Sequence, residues 1–283
     1  MDAEQFNADQ LAFWNGAGGH IWVERQAHTD VTLTPVSEAL VAFAAPQVGE
    51  QVLDVGCGCG ATTLDLARAI GSAGRVAALD ISGPMLAEAE ARATAAGIGN
   101  VDFRQADAAT VALDEFDLLT SAFGLMFFGD PVPAFAHLRA AARPGARMAF
   151  VCWRALGENP WIGVPMQAVA PHVPPRPKPN PEAPGMFAFA DSQRVTDILM
   201  AAGWAAPQFD KLDLDLDIAA GRGLEQAVAQ STQIGAVNSW LRGQPAEVVT
   251  AAVESVREAL AAYRDGASVR LPGAMWLVSS APA

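Results

Sequence analysis

The feature that most constrains the fold is a short apolar run that ends in a cluster of glycines. Residues 52–55, Val-Leu-Asp-Val, are followed by Gly56, Gly58 and Gly60, and helical spacing begins at Thr62. Glycine permits a positive φ and lets a ligand touch the backbone. The N-terminus of the helix behind the loop presents N–H groups that have no partner inside the helix. A strand, a glycine loop and a helix in this order predict a ligand site at the carboxyl end of the strand.

Strands and helices continue to alternate after the loop. We predict strands at 75–80, 101–105, 116–121 and 146–153, separated by helices at 62–70, 85–96 and 131–142. Such alternation requires crossover connections, which are nearly always right-handed and place helices on both faces of a parallel sheet. Ligands of these sheets bind at the carboxyl ends of the strands. The predicted fold is therefore α/β, with a doubly wound and mostly parallel sheet.

The pattern changes after Trp153. Nine of the nineteen prolines lie between Pro160 and Pro184, and the run 171–181 is too rich in proline for a helix or a central strand. We predict an extended, stiff segment there. Beyond it, the spacing predicts helices at 191–202, 224–241 and 246–263 and strands at 211–218 and 274–279. The chain thus divides into four parts, 1–49, 50–153, 154–190 and 191–283.

The charge balance and the termini exclude several classes of function. The formal net charge is −13, with 31 acidic and 18 basic residues, which argues against a nucleic-acid partner because phosphate backbones are bound by clustered Lys and Arg. No apolar stretch approaches the roughly 18 residues of a membrane span. The first ten residues lack the features of a secretory signal peptide. We expect a cytoplasmic protein that acts on a small molecule, and we assign no oligomeric state.

The cysteines leave one alternative to consider. Cys57, Cys59 and Cys152 are an odd number in a long chain, which is not the pattern of a disulfide framework. Cys57 and Cys59 lie in the glycine loop and could hold a thiophilic metal. Nothing near them in the sequence completes the four ligands that zinc usually takes, and we predict no metal.

Acidic residues at the ends of the strands allow two cofactors. Gly56-x-Gly58-x-x-Ala61, with Asp80 about 20 residues further on, satisfies the dinucleotide pattern. However, Asp54 stands just before the loop, where it would repel a pyrophosphate but attract a sulfonium. Some fifty residues also precede the strand, and Tyr263 is the only tyrosine available for hydride-transfer chemistry. An NAD-dependent oxidoreductase is therefore the second alternative.

Five segments, in order, resemble the motifs of class I (Rossmann-like) S-adenosylmethionine-dependent methyltransferases. They are 53–60, 79–82, 106–108, 116–119 and 143–147. The resemblance implies S-adenosylmethionine as cofactor and a seven-stranded sheet that ends in an antiparallel hairpin of 211–218 and 274–279. A helical insertion, 222–265, would interrupt the hairpin. It also implies an N-terminal helical cap, 1–49, over the cofactor, while we expect the proline-rich part 154–190 to act as a lid.

The same resemblance implies the cofactor-binding residues. Asp80 would bind the ribose and Asp107 would lie near the adenine amino group. The full set is Asp54, Gly56, Cys57, Gly58, Asp80, Ile81, Met85, Asp107, Ala108 and Ser121. A protein that binds S-adenosylmethionine without transferring its methyl group remains an open alternative.

The acceptor side resembles one branch of the family. Phe123-Gly124-Leu125 is similar to a triplet of the ubiquinone and menaquinone biosynthesis methyltransferases, but Met126-Phe127 stands where that branch has a basic residue and an amide. This departure favours an apolar or aromatic acceptor. The expected acceptor-binding residues are Phe123, Phe127, Trp153 and Phe187. His20, His28 and His172 could each reach an acceptor, and we assign no catalytic base.

Overall fold

The computed structural model describes residues 3–176, 180, 182–233 and 235–283. One mixed sheet forms its centre. Its strands are β1 (Gln51–Val55), β2 (Arg75–Asp80), β3 (Val101–Gln105), β4 (Phe116–Ala122), β5 (Ala142–Trp153), β6 (Gln208–Asp217), β7 (Arg264–Asp265) and β8 (Ser268–Ser280). The strand order is β3-β2-β1-β4-β5-β8-β6, and β7 pairs only with β8. The first five strands are parallel, and β8 runs antiparallel to β5 and β6. The predicted seven-stranded, doubly wound sheet with a C-terminal hairpin is confirmed, and the two-residue β7 is an addition.

Helices cover the sheet and follow the predicted order. They are α1 (Ala3–Asn15), α2 (Ala17–Glu24), α3 (Gln26–Ala44), α4 (Ala61–Ile70), α5 (Gly83–Ala95), α6 (Pro131–Ala140), α7 (Pro160–Val169), α8 (Ser192–Ala201), α9 (Leu224–Gln233), α10 (Gly235–Leu241) and α11 (Ala246–Ala261). None of the helices within the described ranges combines the length and the apolar character that crossing a bilayer requires.

The register of the central strands positions the site. Val52 of β1 lies beside Val76 of β2 and Leu118 of β4, and all three side chains are buried. Val55, the last residue of β1, pairs with Leu79, next to the last residue of β2. Because neighbouring parallel strands end at the same edge, the residues that follow them are brought together there.

The proline-rich part differs from the prediction. Residues 160–169 form α7, with Pro160 in the first turn, where an N–H has no helical partner. Ala170–His172 continues as a turn of 3₁₀ helix, so the expectation of a fully extended run is wrong for Pro171 and His172. Residues 174–176 and 180 have no regular structure, as expected. The remainder of the run, 177–179 and 181, lies outside the described residues.

Several boundaries also differ, and β6 begins at Gln208 instead of 211. The predicted helix 224–241 is two helices, because Gly235 begins α10 with a φ of +67° that an uninterrupted α-helix does not contain. The helix predicted at 131–142 ends at Ala140, since Ala142 already pairs with Phe116 at the start of β5. The last strand begins at Ser268 instead of 274, because pairing with β6 continues as far as Asp217.

Candidate functional site

The glycine loop lies at the carboxyl ends of β1 and β2. Gly56, Gly58 and Gly60 have φ values of +71°, +56° and +81°, which only glycine adopts freely. The Gly56 N–H donates to the carbonyl of Leu79 at 2.8 Å. A Cβ added to Gly56 would lie 2.7 Å from the Cα of Gly124, after β4. The loop is therefore held closely between β2 and the end of β4.

Asp80 joins the loop to the turn after β2. Its Oδ2 accepts from the N–H of Gly58 and its Oδ1 accepts from the N–H of Ser82, both at 2.8 Å. Burial raises the pKa of this carboxyl, and the backbone donors oppose that shift. An ionised carboxylate offers about four acceptor positions, which is more than these two bonds use, so Asp80 can also accept from a hydroxyl group of a ligand.

Asp54 is enclosed behind the loop. Its side chain is 1 % exposed. The hydroxyl of Thr63 on α4 donates to Oδ2 at 2.6 Å, and the hydroxyl of Thr120 on β4 donates to Oδ1 at 3.2 Å. Burial raises the pKa of Asp54 to about 6, the two hydroxyl donors oppose that shift, and the charge of Asp80 adds to it. The carboxylate thus faces the interior, and any effect on a ligand comes through its charge.

Ser121 and Cys57 hold or line the loop. The buried Ser121 hydroxyl donates to the carbonyl of Val55 at 2.7 Å and accepts from the N–H of Gly124 at 3.1 Å. It therefore links β1 to the turn after β4.

Cys57 lies in the glycine loop and is half-buried. Burial, with the charges of Asp80 and Asp54, raises the pKa of its thiol well above the usual range, so the thiol is protonated at neutral pH. The part of the chain that the structure describes contains no cluster of three or more metal-binding side chains.

The remaining predicted cofactor residues lie around the same edge. Met85 is buried on α5, and its Cε would lie 3.0 Å from a Cβ added to Gly58. Ile81 is half-buried directly after Asp80. Asp107 follows β3, is half-buried and accepts from the N–H of Ala109 at 2.9 Å. Ala108, beside it, is buried.

Helix α1 packs over this edge through contacts that the sequence did not predict. The Ser82 hydroxyl donates to the carbonyl of Trp14 at 2.7 Å. The Asn15 amide donates to the carbonyl of Ile81 at 2.8 Å and accepts from the N–H of Gly83 at 3.0 Å. Trp14-Asn15-Gly16 stands out in the sequence as an aromatic residue before turn formers, but nothing in that pattern identifies its partners.

Aromatic rings extend away from the loop. Phe123, two residues after Ser121, has a φ of +67°. Its ring stacks on Trp153 with centroids 4.6 Å apart and planes 8° apart, and Trp153 contacts Trp161 of α7 at 4.9 Å. We call Phe123, Trp153 and Trp161 the aromatic stack.

Two other predicted acceptor residues lie outside the aromatic stack. Phe127 is half-buried, and its ring meets Trp14 of α1 edge to face at 6.1 Å. Phe187 is half-buried in a segment anchored by the N–H of Gly185, which donates to the carbonyl of Met126 at 3.0 Å. Both therefore border the turn that follows Phe123.

Two of the three candidate histidines make structural hydrogen bonds. The Nε2 of His28 lies 2.9 Å from the carbonyl of Ile218, and the Nε2 of His172 lies 2.8 Å from the hydroxyl of Ser255. Burial lowers the pKa of His28. His20 is exposed on α2. None of these contacts identifies a base.

Comparison with known proteins gives the family. The family described as "Methyltransferase domain" matches residues 52–145. The nocamycin O-methyltransferase of Saccharothrix syringae is 30% identical over 247 residues, which are 83% of this chain and 86% of that protein. The chain belongs to the S-adenosylmethionine-dependent methyltransferases. The predicted family and cofactor are confirmed, and these relatives give no support to the dinucleotide alternative.

Other similarities are shorter or more distant. The aklanonic acid methyltransferase of a Streptomyces species is 37% identical over 41% of this chain, and the match spans only about half, 54%, of that protein. The ubiquinone/menaquinone biosynthesis C-methyltransferase of a Marinomonas species is 37% identical over 36% of this chain and 42% of its own. The YcgJ protein from Bacillus subtilis superposes with a TM-score of 0.54 at 18% identity, covering 86% of this chain and 96% of that structure. This last similarity concerns the fold alone.

Proposed function

We propose that the protein transfers the methyl group of S-adenosylmethionine to an oxygen, nitrogen or carbon atom of a small, apolar, aromatic metabolite. The observation that carries this proposal is the position of Phe123. It follows β4 beside the glycine loop and begins the aromatic stack. A donor on the loop and an acceptor against the aromatic stack would therefore be neighbours.

The residues around the loop fit the donor. Asp80 would accept hydrogen bonds from ribose hydroxyls beside its bond to the loop. The positive φ of Gly56 and Gly58, with Cys57 between them, would let a ligand approach the backbone closely. Ile81, Met85, Asp107 and Ala108 would surround the adenine, and Ser121 would keep the loop in place. Ionised Asp54 would favour the sulfonium through charge, because opposite charges attract strongly in a poorly solvated interior. When bound, S-adenosylmethionine supplies an activated methyl group.

The aromatic stack favours a flat apolar acceptor. Aromatic rings prefer to pack on other rings in stacked or edge-to-face arrangements. The strained Phe123 backbone is held by its N–H, which donates to the carbonyl of Val151 at 3.1 Å, and by stacking on Trp153. A residue held in a sparsely populated conformation by its surroundings is typical of functional positions. Phe127 and Phe187 would complete the apolar wall. Holding donor and acceptor in line supplies much of such a reaction's rate enhancement.

A transfer assay tests the proposal. Purified protein, S-adenosylmethionine and a panel of uncharged aromatic phenols and amines are incubated, and mass spectrometry follows a gain of one CH₂ in the acceptor with formation of S-adenosylhomocysteine. We expect equal amounts of the two products. If the protein binds the cofactor tightly but converts the acceptor to a product that has not gained CH₂, this result would favour the non-methylating alternative.

The Phe123→Leu variant tests the acceptor wall. We expect its KM for the acceptor to rise about 3- to 10-fold, because an aromatic pair contributes roughly 0.5–1.5 kcal/mol beyond burial. The KM for S-adenosylmethionine should stay unchanged. Phe209→Leu is the control, since Phe209 pairs with Trp276 on the β6–β8 hairpin. Equal effects of the two substitutions on the acceptor KM would contradict this role.

We also infer a separate role for each of the four parts of the chain. Residues 1–49 would cap the cofactor, 50–153 would form its binding core, 154–190 would close over the acceptor, and 191–283 would complete the sheet with 222–265 inserted. Protease cleavage within 154–190 should slow when cofactor and acceptor are both present, and an unchanged rate would contradict the lid. A cytoplasmic location and the absence of a nucleic-acid partner stay predictions.

A further inference from the structure

A groove of about 480 Å³ lies along α7, away from the glycine loop. One side of α7 packs inward through Trp161, Pro165 and Val169. Another side, with Pro160, Gly163 and Gln167, lines the groove. Trp240 of α10 and Tyr263, after α11, also line it. None of the loop residues that would hold the cofactor belongs to this lining.

The chemistry of the groove favours an uncharged ligand. Its described lining contains no Asp, Glu, Lys, Arg or His side chain. The lining residues that carry a polar side-chain group are Gln167, Tyr263 and Trp240. Arg176 lies outside this lining; its guanidinium is 5.9 Å from the centroid of the Trp240 ring and donates to the carbonyl of Ser239 at 3.1 Å. A charged ligand in the groove would lose hydration, and no charged side chain of the described lining would compensate for that loss. The volume lies within the range of roughly 300–1,000 Å³ typical of small-molecule pockets, which combine apolar walls with a few polar groups.

Gly163 leaves part of the groove open. It lies in the fourth position of the ten-residue α7 and is absent from the glycines with positive φ. Among the residues that the structure describes, a Cβ added there would approach only the carbonyl oxygen of Leu156, at an ordinary 3.8 Å. Neither strain nor crowding therefore requires glycine. Glycine inside a helix costs roughly 0.5–1 kcal/mol relative to alanine, and α7 already contains Pro165. What glycine provides at this position is open space in the groove.

We propose that this groove binds a planar, uncharged aromatic molecule at a site separate from the methyl-transfer site. The ligand lies over Gly163, packs on the Trp240 indole and exchanges a hydrogen bond with Tyr263 or Gln167. The half-exposed Trp240 and the 37 % exposed Tyr263 supply the aromatic contacts. Because α7 also carries Trp161 of the aromatic stack, an occupied groove contacts the helix that borders the proposed acceptor site. The binding site itself does not depend on the proposed acceptor.

The test uses N-phenyl-1-naphthylamine, an uncharged aromatic dye whose fluorescence rises in apolar sites. It is titrated into the full chain saturated with S-adenosylhomocysteine. We expect saturable binding that Gly163→Phe weakens at least tenfold by filling the groove. Gly163→Ala is the matched control and should bind the dye nearly as well as the wild type. Both variants should keep the wild-type affinity for S-adenosylhomocysteine and melt at or above the wild-type Tm, since each replaces a helical glycine.

Further variants separate the groove from other sites. Trp240→Ala should weaken dye binding, whereas Phe123→Leu, at the aromatic stack, should leave it unchanged. Dye affinity lost in Phe123→Leu but kept in Gly163→Phe would overturn the proposal, as would an absence of dye binding. If sedimentation showed a wild-type dimer that Gly163→Phe converts to monomer, the occupant would be a second copy of the chain, and the proposal would also fail.

Discussion

Asp54 is the residue whose charge the fold constrains most. Among the described residues, its hydrogen-bond donors are the hydroxyls of Thr63 and Thr120, and no cation forms an ion pair with it. Burial raises its pKa to about 6 from an ordinary value of 3.8. The folded protein therefore holds this proton more firmly than the unfolded chain does. Asp54 therefore contributes most to the free energy of unfolding below about pH 4, where it is protonated in both states. This contribution falls as the pH rises to about 6.

The Asp54→Asn variant should reveal this dependence. An amide has the same shape and stays neutral, so it avoids the roughly 3 kcal/mol that a buried charge with this pKa costs above pH 7. The free energy of unfolding of the variant should rise relative to that of the wild type as the pH increases. We expect this difference to grow by about 2 kcal/mol between about pH 4.5 and pH 7.5. Urea denaturation at the two pH values measures it.

The control for Asp54 is an exposed acid on the neighbouring helix. Asp65 pairs with Arg68 on the surface of α4, so Asp65→Asn should change stability little and almost equally at both pH values. A stability difference between Asp54→Asn and the wild type that does not vary with pH would contradict the raised pKa.

Among the residues of the site, the sequence identifies the acidic side chains but not their hydrogen-bond partners. Asp54, Asp80 and Asp107 are predictable because each lies at or next to the carboxyl end of a strand, and the carboxyl ends of parallel strands lie together. The bonds of Asp54 to Thr63 and Thr120 depend on how α4 packs on β4. The strained φ of Phe123 has no sequence signal, because phenylalanine rarely adopts it.

The elements around the site are α1, which covers the loop edge, and α7, which carries Trp161. Helix α1 is attached at its last residues, where Asn15 bonds to Ile81 and Gly83 and the Trp14 carbonyl accepts from Ser82. Gly19 of α2 makes this approach possible, since a Cβ there would lie 2.0 Å from the Trp14 carbonyl oxygen. These contacts connect the first helix to the residues after Asp80.

We predict that Asn15→Ala weakens binding of S-adenosylmethionine about tenfold. The substitution removes hydrogen bonds to two backbone groups, each contributing about 0.5–1.5 kcal/mol, and so loosens the cap over the cofactor. Calorimetric titration measures the change. Gln5→Ala on the same helix is the control, because among the described residues the Gln5 side chain bonds only to the exposed Asp9. Wild-type affinity in Asn15→Ala would show that α1 does not cover the bound cofactor.

The elements that the sequence predicted poorly contain proline or glycine, whose effect on a helix depends on the position. Helix α7 was missed because prolines dominate its surroundings, although Pro160 stands where proline is tolerated. The break between α9 and α10 depends on the conformation of Gly235, and a glycine within a helical pattern does not by itself show a break. The regular alternation before Trp153 was predicted well because each helix there has an apolar face towards the sheet.

In the molecule as a whole, contacts that stabilise the fold and residues that would bind the cofactor lie at opposite ends of the strands. At the amino ends of the strands, Arg147 of β5 donates to the carbonyls of Ala44 and Ala45 at 3.2 and 2.8 Å and pairs with Glu50 at 2.5 Å. These bonds attach the end of α3 to the sheet. The glycine loop lies at the opposite, carboxyl edge.

Arg147→Met should therefore destabilise the fold without changing the site. We expect the free energy of unfolding to fall by about 2–3 kcal/mol, because Glu50 loses its cation and two carbonyls lose their donor. The dissociation constant for S-adenosylmethionine of the folded variant should match that of the wild type. Denaturation and calorimetry check the two expectations, and a weakened dissociation constant with unchanged stability would contradict this separation.

The central claim is that the glycine loop and Asp80 hold S-adenosylmethionine. The most direct measurement is calorimetric titration of the wild type and the Asp80→Asn variant with S-adenosylmethionine, S-adenosylhomocysteine and NAD, with Asp65→Asn as control. We predict that the wild type binds both adenosyl ligands and not NAD. Asp80→Asn should bind them about 10- to 100-fold more weakly, since hydrogen bonds to a charged group contribute roughly 1.5–3 kcal/mol. Binding of NAD alone, or adenosyl-ligand affinities that Asp80→Asn leaves unchanged, would contradict the claim.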